Sequence, residues 1–289
     1  MDWYERPMMF ALLADVQYAA KPSEGGRHYA AAKERLAECI AVLNAQQPGP
    51  AFVMQLGDLI DGGPNAQDEL ATATAIYHQV RMPAYHVIGN HDFEGLRRET
   101  TMSLLKLQQA YYTFEVDRRR FVVLDTQDVA VQGGWAEDSQ PYRQAVAMLN
   151  ALRQRGVENA QPYNGAVGAE QMSWLEEVLT EADAEKMPVL MFGHLPLVPF
   201  GDKYTLWNAE QVVAMMERHA CVKAYFCGHT HRGNWLRQNG INYVSLEAMV
   251  EHADQKAVWY TVRLGQGTMD VEAVGVAQHW SLPLQENNR

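Results

Sequence analysis

A chain of 289 residues with a formal net charge of −11 is long enough to bury a large core, as one big domain or two small ones of about 100–200 residues each. The negative charge argues against a nucleic-acid partner, because phosphate backbones are gripped by basic faces; a small anionic substrate held by a local positive site is still permitted. Cys39, Cys221 and Cys227 lack metal-knuckle spacing and read as reduced, mostly buried thiols, which suits a cytoplasmic protein.

The chain starts with the acidic stretch Met1-Asp2-Trp3-Tyr4-Glu5, and its first apolar run, Met9 to Ala14, stops at Asp15. Neither an export leader nor a membrane span is expected there. That run reads as a buried strand, and alternation beyond it sends Asp15 and Gln17 to one side together. Arg27 to Asn44 carries Leu36, Ile40 and Leu43 at helical spacing and is closed by Pro48-Gly49-Pro50,. A second strand, Ala51 to Leu56, ends in Gly57-Asp58, and Asp61-Gly62-Gly63-Pro64 turns away into a helix over 66–80, completing a crossover unit. A third strand, Ala84 to Ile88, delivers Gly89-Asn90-His91-Asp92.

Glu99 to Gln109 is expected to be helical, followed by a hairpin of 111–115 and 121–125 around Asp117-Arg118-Arg119-Arg120, whose arginines read as solvated charge at a tip. The pattern loosens over 127–168, with Gly133-Gly134-Trp135, a helix from Tyr142 to Arg155 and the polar loop Asn159 to Gly168. An insertion of that length reads as a lid or cap. A helix over 169–182 precedes a fourth strand, Met187 to Phe192, ending in Gly193-His194. The loop 195–207 and a helix over 208–219 lead to the fifth, Val222 to Cys227, ending in Gly228-His229-Thr230-His231. The tail runs 241–246, 258–264 and 269–276 suit antiparallel strands separated by turns such as Gly265-Gln266-Gly267,. With no repeat or linker, residues 1–289 read as a single domain carrying the 127–168 insertion.

Five apolar runs thus end in a small residue followed by a metal-type donor: Asp15 and Gln17, Asp58, Asn90 and His91, His194, and His229 with His231. Ligand sites of open α/β sheets form outside the carboxyl ends of strands, and oxygen and imidazole donors together suit first-row divalent metals. Two divalent ions on the seven donors Asp15, Gln17, Asp58, Asn90, His194, His229 and His231 would meet only two carboxylates, Asp15 and Asp58. The positive charge left over suits a phosphate or pyrophosphate, which two ions about 3.5–4 Å apart can clamp.

These motifs, in this order, resemble the calcineurin-like metallophosphoesterase superfamily, whose pattern runs Asp-x-His, Gly-Asp, Gly-Asn-His-Asp/Glu, Gly-His, Gly-His-x-His. Gln17 stands where that pattern has its first histidine. Asp15-Val16-Gln17-Tyr18-Ala19, Gln55-Leu56-Gly57-Asp58-Leu59-Ile60-Asp61-Gly62, Gly193-His194-Leu195-Pro196 and Leu206-Trp207-Asn208 look like the manganese-dependent ADP-ribose/CDP-alcohol diphosphatases. The resemblance implies a four-layer α/β/β/α sandwich of two mixed β-sheets. One metal would be held by Asp15, Gln17, Asp58 and His231, the other by Asp58, Asn90, His194 and His229, with Asp58 bridging. A metal-activated water would attack, His91 would protonate the leaving oxygen, and Asp61 would orient the His91 imidazole.

The amide at Gln17 makes its site harder and tilts it towards Mn²⁺, with Fe, Zn²⁺ or Mg²⁺ as alternatives. The activity implied is cleavage of the pyrophosphate in a nucleoside diphosphate linked to a small alcohol or sugar. The alternatives are a phosphodiesterase or phosphomonoesterase of the same superfamily acting on cyclic nucleotides or glycerophosphodiesters and, in a different class, a non-catalytic metal-bound scaffold. The partner expected is a small phosphorylated or nucleotide substrate, with neither nucleic acid nor membrane. Tyr18, Phe93, Phe200, Trp207 and Trp235 read as packing beside the ligand loops rather than as base-stacking groups, and Asp92 as a loop tie. His28, His78, His86, His219 and His252 read as satisfied structural histidines.

Overall fold

The computed structural model describes residues 7–252, 257–265 and 267–284; the acidic start and Gln266 of the expected turn lie outside the described residues. In chain order the elements are β1 (Met8–Leu13), α1 (Ala32–Ala45), β2 (Val53–Leu56), α2 (Ala66–Tyr77), β3 (Ala84–Val87), α3 (Arg98–Leu104), β4 (Tyr112–Val116), β5 (Arg119–Val123) and β6 (Val129–Ala130). They continue with α4 (Gln140–Gln154), β7 (Gly165–Ala166), α5 (Ala169–Ala184), β8 (Val189–Phe192), α6 (Ala209–Met216), β9 (Val222–Cys227), β10 (Asn234–Gln238), β11 (Ile241–Ser245), β12 (Trp259–Leu264), β13 (Thr268–Val274) and β14 (His279–Pro283).

Strands that are apolar on both faces need cover on both sides, and the core is arranged accordingly. In β1, Phe10 and Leu12 point one way and Ala11 and Leu13 the other, all buried. The first set meets Phe121, Leu190, Phe192 and Phe226 of a second sheet. The other packs with Leu36, Ile40 and Leu43 of α1 and Leu70 and Ala73 of α2. The second sheet repeats the scheme: Val122, Val189, Met191 and Tyr225 turn outward onto Leu175 and Leu179 of α5 and Val212 and Met216 of α6. The result is a four-layer α/β/β/α sandwich. The two six-stranded sheets run β14-β13-β12-β1-β2-β3 and β10-β11-β9-β8-β5-β4, with β1, β2 and β3 parallel in one and β5, β8, β9 and β11 parallel in the other. Mixed sheets of this kind bring the carboxyl ends of the parallel strands to one edge of the sandwich.

Some expectations need correction. Only Arg118 of the arginine run is exposed; Arg119 and Arg120 begin β5 and are buried. Arg120 is drawn in by Glu115, Glu181 and Glu185, at 2.8, 2.7 and 3.3 Å, so carboxylates replace the water a solvated tip would have supplied. The tail is not wholly antiparallel: β12, β13 and β14 extend the first sheet that way, but β11 joins the second, parallel to β9. α3 stops at Leu104, short of Gln109, and Lys106 has φ 58°, a left-handed residue that ends helical winding.

All three cysteines are buried and unpaired. Among the described residues no helix is long and apolar enough to cross a membrane. Within 127–168, β6 and β7 pair with each other, and α4 packs Ala145, Leu149 and Leu152 with Val129, Ala166 and Trp207. Arg98 holds its root, donating to the carbonyls of Gln127 and Gly133 and pairing with Asp125.

Candidate metal centre

The residue between strand and donor is small for a steric reason. A Cβ on Gly89 would collide with the Asp58 carboxylate, and one on Gly228 with that of Asp15, so these loops approach the donors by backbone alone. The donors carry backbone strain. Asp15, Gln17, Asp58, His229 and His231 have φ of 51°, 44°, 55°, 65° and 59°, a left-handed conformation that non-glycine residues adopt at a cost and that clusters at functional sites.

The structure brings all seven sequence-predicted donors to one end of the sandwich. Asp58, His194 and His229 each present a ligand atom within 4.8 Å of the other two. His194 Nε2 lies 3.2 Å from Asp58 Oδ2, Gln17 Nε2 3.4 Å from the same oxygen, and His231 Nε2 3.5 Å from Asp15 Oδ1. Asn90 is buried between Gly89 and His91, and the His91 amide donates to Asp58 Oδ1 at 2.8 Å. Each imidazole spends its other nitrogen on an acceptor: His194 Nδ1 on the Leu56 carbonyl at 2.8 Å, His231 Nδ1 on Glu251 at 2.7 Å, and His229 Nε2 on Asn164 Oδ1 at 3.2 Å. Such outer contacts are how metal-binding histidines are oriented.

Burial is complete for Asp15 and Asp58, and a carboxylate without water needs a positive neighbour. Burial pushes the Asp15 carboxyl up, tempered by His231 and His194. For Asp58, burial is outweighed by His194 and His91, which hold it well below the usual carboxylate range. Burial also works against the charge of His194, yet Asp58 and Asp15 lift it to about 9.

His91 lies beside this cluster, its side chain 24% exposed. Its Nδ1 donates to the Asp61 main-chain carbonyl at 2.9 Å, with Glu94 Oε2 at 3.4 Å and the Asp61 carboxylate at 3.8 Å. The Asp61 carboxylate itself is taken by Lys21. Burial opposes the charge on His91, but Asp58, Glu94 and Asp61 prevail and hold it at about 9. Asp92 accepts from the amides of Gly89, Asp58, Leu59 and Ile60, at 2.9, 3.0, 2.8 and 3.4 Å; it ties the second and third strand ends together.

Residues 8–233 match the family described as calcineurin-like phosphoesterase, most of the chain. The chain belongs to that family. It is accordingly a metal-dependent hydrolase. A manganese-dependent ADP-ribose/CDP-alcohol diphosphatase of Oryza sativa subsp. japonica is 32% identical over 270 residues, 84% of this chain and 83% of that protein. One of Homo sapiens bearing the same name is 30% identical over 319 residues, 95% and 92%. Among solved structures, a dimetal phosphatase from Danio rerio superposes with a TM-score of 0.86 at 25% identity, covering 96% of this chain and 99% of that one.

The family uses a dinuclear metal centre, and the donors of this phosphoesterase fit one. Gln17 Oε1 and Asn90 Oδ1 are buried without a hydrogen-bond partner, which costs about 1–3 kcal/mol each unless something else binds them. Two buried carboxylates in the same cluster supply the matching negative charge.

Sequence reasoning missed a wall of the site. Tyr163 and Tyr204 bring their rings within 5.7 and 5.6 Å of the His229 ring and 5.9 Å of each other, both half-buried. Neither follows a strand end; Tyr163 lies in the loop before β7 and Tyr204 closes a short helical turn, and only the Tyr163-Asn164-Gly165 sequence at the close of the insertion offers a signal. Glu251 and Lys21 were missed for the same reason. The five aromatics near the ligand loops do pack: Tyr18 and Phe93 beside α1 and α2, Phe200 beside α6, Trp207 beside α4 and Trp235 between the sheets. His28, His78, His86, His219 and His252 all have partners elsewhere.

Proposed function

We propose that this phosphoesterase hydrolyses the pyrophosphate linkage of nucleoside diphosphates joined to a small alcohol or sugar, ADP-ribose and CDP-alcohols being the type, with two Mn²⁺ ions. The observation that carries the reading is the convergence of seven donors of which only Asp15 and Asp58 are carboxylates. Two divalent ions there keep net positive charge for an anionic diphosphate, and the relatives named for that substrate match 84% and 95% of the chain. Asp15, Gln17, Asp58 and His231 would hold one ion and Asp58, Asn90, His194 and His229 the other. When bound, such ions polarise phosphoryl oxygens and acidify a water.

The protein's own part falls to His91 and its supports. Glu94 and the Asp61 carboxylate, 3.4 and 3.8 Å from its Nδ1, favour the charged form of the imidazole. With Nδ1 spent on the Asp61 carbonyl, Nε2 is left to give a proton to the leaving oxygen. Lys21 on the Asp61 carboxylate fixes that segment. The insertion over 127–168 acts as the lid, with Tyr163 on its inner wall. Three unpaired buried thiols support a reducing compartment such as the cytoplasm.

The test is metal replacement followed by substrate screening. Chelator-treated protein should recover most of its ADP-ribose hydrolysis with Mn²⁺; equal or better recovery with Mg²⁺ alone would sink the manganese assignment. His91→Ala should lose about 10²–10⁴-fold in kcat while its metal content stays at the parent level. No turnover by either protein on ADP-ribose or CDP-alcohols would point to another phosphate substrate.

A further inference from the structure

Of the acceptors behind the three histidines of the cluster, Leu56 O ends β2 and Glu251 lies in the connection between β11 and β12, and the third, Asn164, belongs to the insertion. Asn164 is fully buried. Its amide nitrogen donates to the carbonyls of Asn159 at 3.0 Å and Lys203 at 2.8 Å, and its Oδ1 lies 3.2 Å from His229 Nε2. Turning the amide over would set its oxygen against two carbonyl oxygens, so the network admits one orientation. An amide oxygen can only accept. His229 Nε2 must therefore carry the ring proton, and the neutral imidazole keeps its lone pair on Nδ1.

We propose that Asn164 is the positioning residue of the metal centre: it fixes the tautomer and rotation of His229 so that Nδ1 is its metal-binding nitrogen, and with the same amide it clamps the loops bearing Tyr163 and Tyr204 against that ring. The centre is incomplete without the insertion. Closure is reinforced by Asn159 Nδ2 donating to the Leu206 carbonyl at 3.1 Å and by the Trp207 amide donating to the Gly165 carbonyl at 2.8 Å. The assignment rests on reading His229 as a metal ligand and is independent of the substrate.

Asn164→Leu and Asn164→Asp separate the two duties. Leucine removes both; aspartate still accepts from Nε2 but cannot donate to the carbonyls of Asn159 and Lys203. With Mn²⁺ affinity measured by chelator competition on the full chain, Asn164→Leu should weaken one of two ions by about 10–100-fold. Asn164→Asp should keep most of that affinity and raise KM for ADP-ribose more than it lowers kcat. Parent-like affinity in the leucine variant, or equal losses in both, overturns the proposal.

Should neither variant fold, ¹⁵N–¹H correlation of the histidine side chains in the chelator-treated parent, assigned against His229→Gln, decides the matter. A proton on Nε2 supports the assignment, and a proton on Nδ1 overturns it. A parent that is inactive on ADP-ribose, with the proton on His229 Nε2 and the expected Mn²⁺ loss in Asn164→Leu, would instead count against the proposed substrate and leave Asn164 in place.

Discussion

His194 and His229 bring their rings to 5.0 Å from one another, and His78 and His86 bring theirs to 5.2 Å; one member of each pair is almost completely buried. Beyond that the two regions diverge. Around the first pair, outer nitrogens are engaged by the Leu56 carbonyl and Asn164, and two buried carboxylates face the rings. In the second, the Nε2 atoms face each other at 3.0 Å, the Tyr77 ring lies 4.7 Å from His86, and the nearby charge that acts on both rings is Lys106. Burial, with the Asp58 and Asp15 carboxylates absent, drives His86 down to about 3; in the first pair those carboxylates lift His194 to about 9, while burial and His194 push His229 well below the ordinary value. Closeness of imidazoles therefore does not make a metal site. Carboxylates that call for a cation and acceptors that orient the lone pair do.

The largest effect should come from breaking the first pair. His194→Leu removes a donor that no neighbour can replace, since Asp58 and His229 are already committed to the same cluster. We expect phosphohydrolase activity to fall by about 10³-fold or more, the scale of several kcal/mol of lost electrostatic stabilisation, with one ion of two lost by elemental analysis. Retention of both ions would remove His194 from the centre.

The same change in the second pair should leave activity alone and alter stability. His86 has a folded-state pKa of about 3 against an ordinary 6.5, so between those values the unfolded chain binds the extra proton. Its contribution is fully present above pH 6.5 and is lost as pH falls towards 3, at up to about 1.4 kcal/mol per pH unit. His78, partly exposed and also shifted down by burial and Lys106, adds in the same direction. His86→Leu should flatten the fall in stability between pH 6.5 and 5 relative to the parent, measured by urea unfolding at each pH. A slope equal to the parent's would show that the buried neutral imidazole is not its source.

This contrast also marks how far the chain is legible as a sequence. Asp15, Asp58, Asn90, His194 and His229 could be read because each follows an apolar strand and, mostly, a glycine whose missing side chain makes room for a neighbour, a carboxylate at Gly89 and Gly228, the His194 ring at Gly57 and Tyr225 at Gly193. The sandwich was implied by the family resemblance that these motifs carry, and the buried strands fit it. Asn164, Tyr163, Tyr204 and Glu251 could not be read, because they reach the centre through contacts between loops 20 to 66 positions apart, which leave no period. β10 escaped for a related reason: its side chains are half exposed and exposed, so no apolar alternation announces it. Arg119 and Arg120 were misread because the carboxylates that bury Arg120 lie as far away as Glu181 and Glu185.

The finest test lies at Gln17, where an amide stands in place of the first histidine of the family pattern. Its Oε1 is buried without a partner while Nε2 leans towards Asp58, so an amide oxygen is the atom offered to a cation. Oxygen donors favour harder ions and imidazole nitrogen favours Zn²⁺, which makes the donor at this position a tuner of metal choice rather than a requirement for binding. Gln17→His should therefore keep both ions and move the ratio of Zn²⁺- to Mn²⁺-supported activity towards zinc by less than about tenfold, a difference under roughly 1.4 kcal/mol. The backbone at 17 already holds a left-handed φ of 44° and donates its amide to the Asp58 carbonyl at 2.9 Å, so the histidine enters the same place in the cluster. A ratio that stays put, or moves towards manganese, would mean that geometry and not donor hardness sets the preference, and the comparison of the two histidine pairs would then have to be drawn on orientation alone.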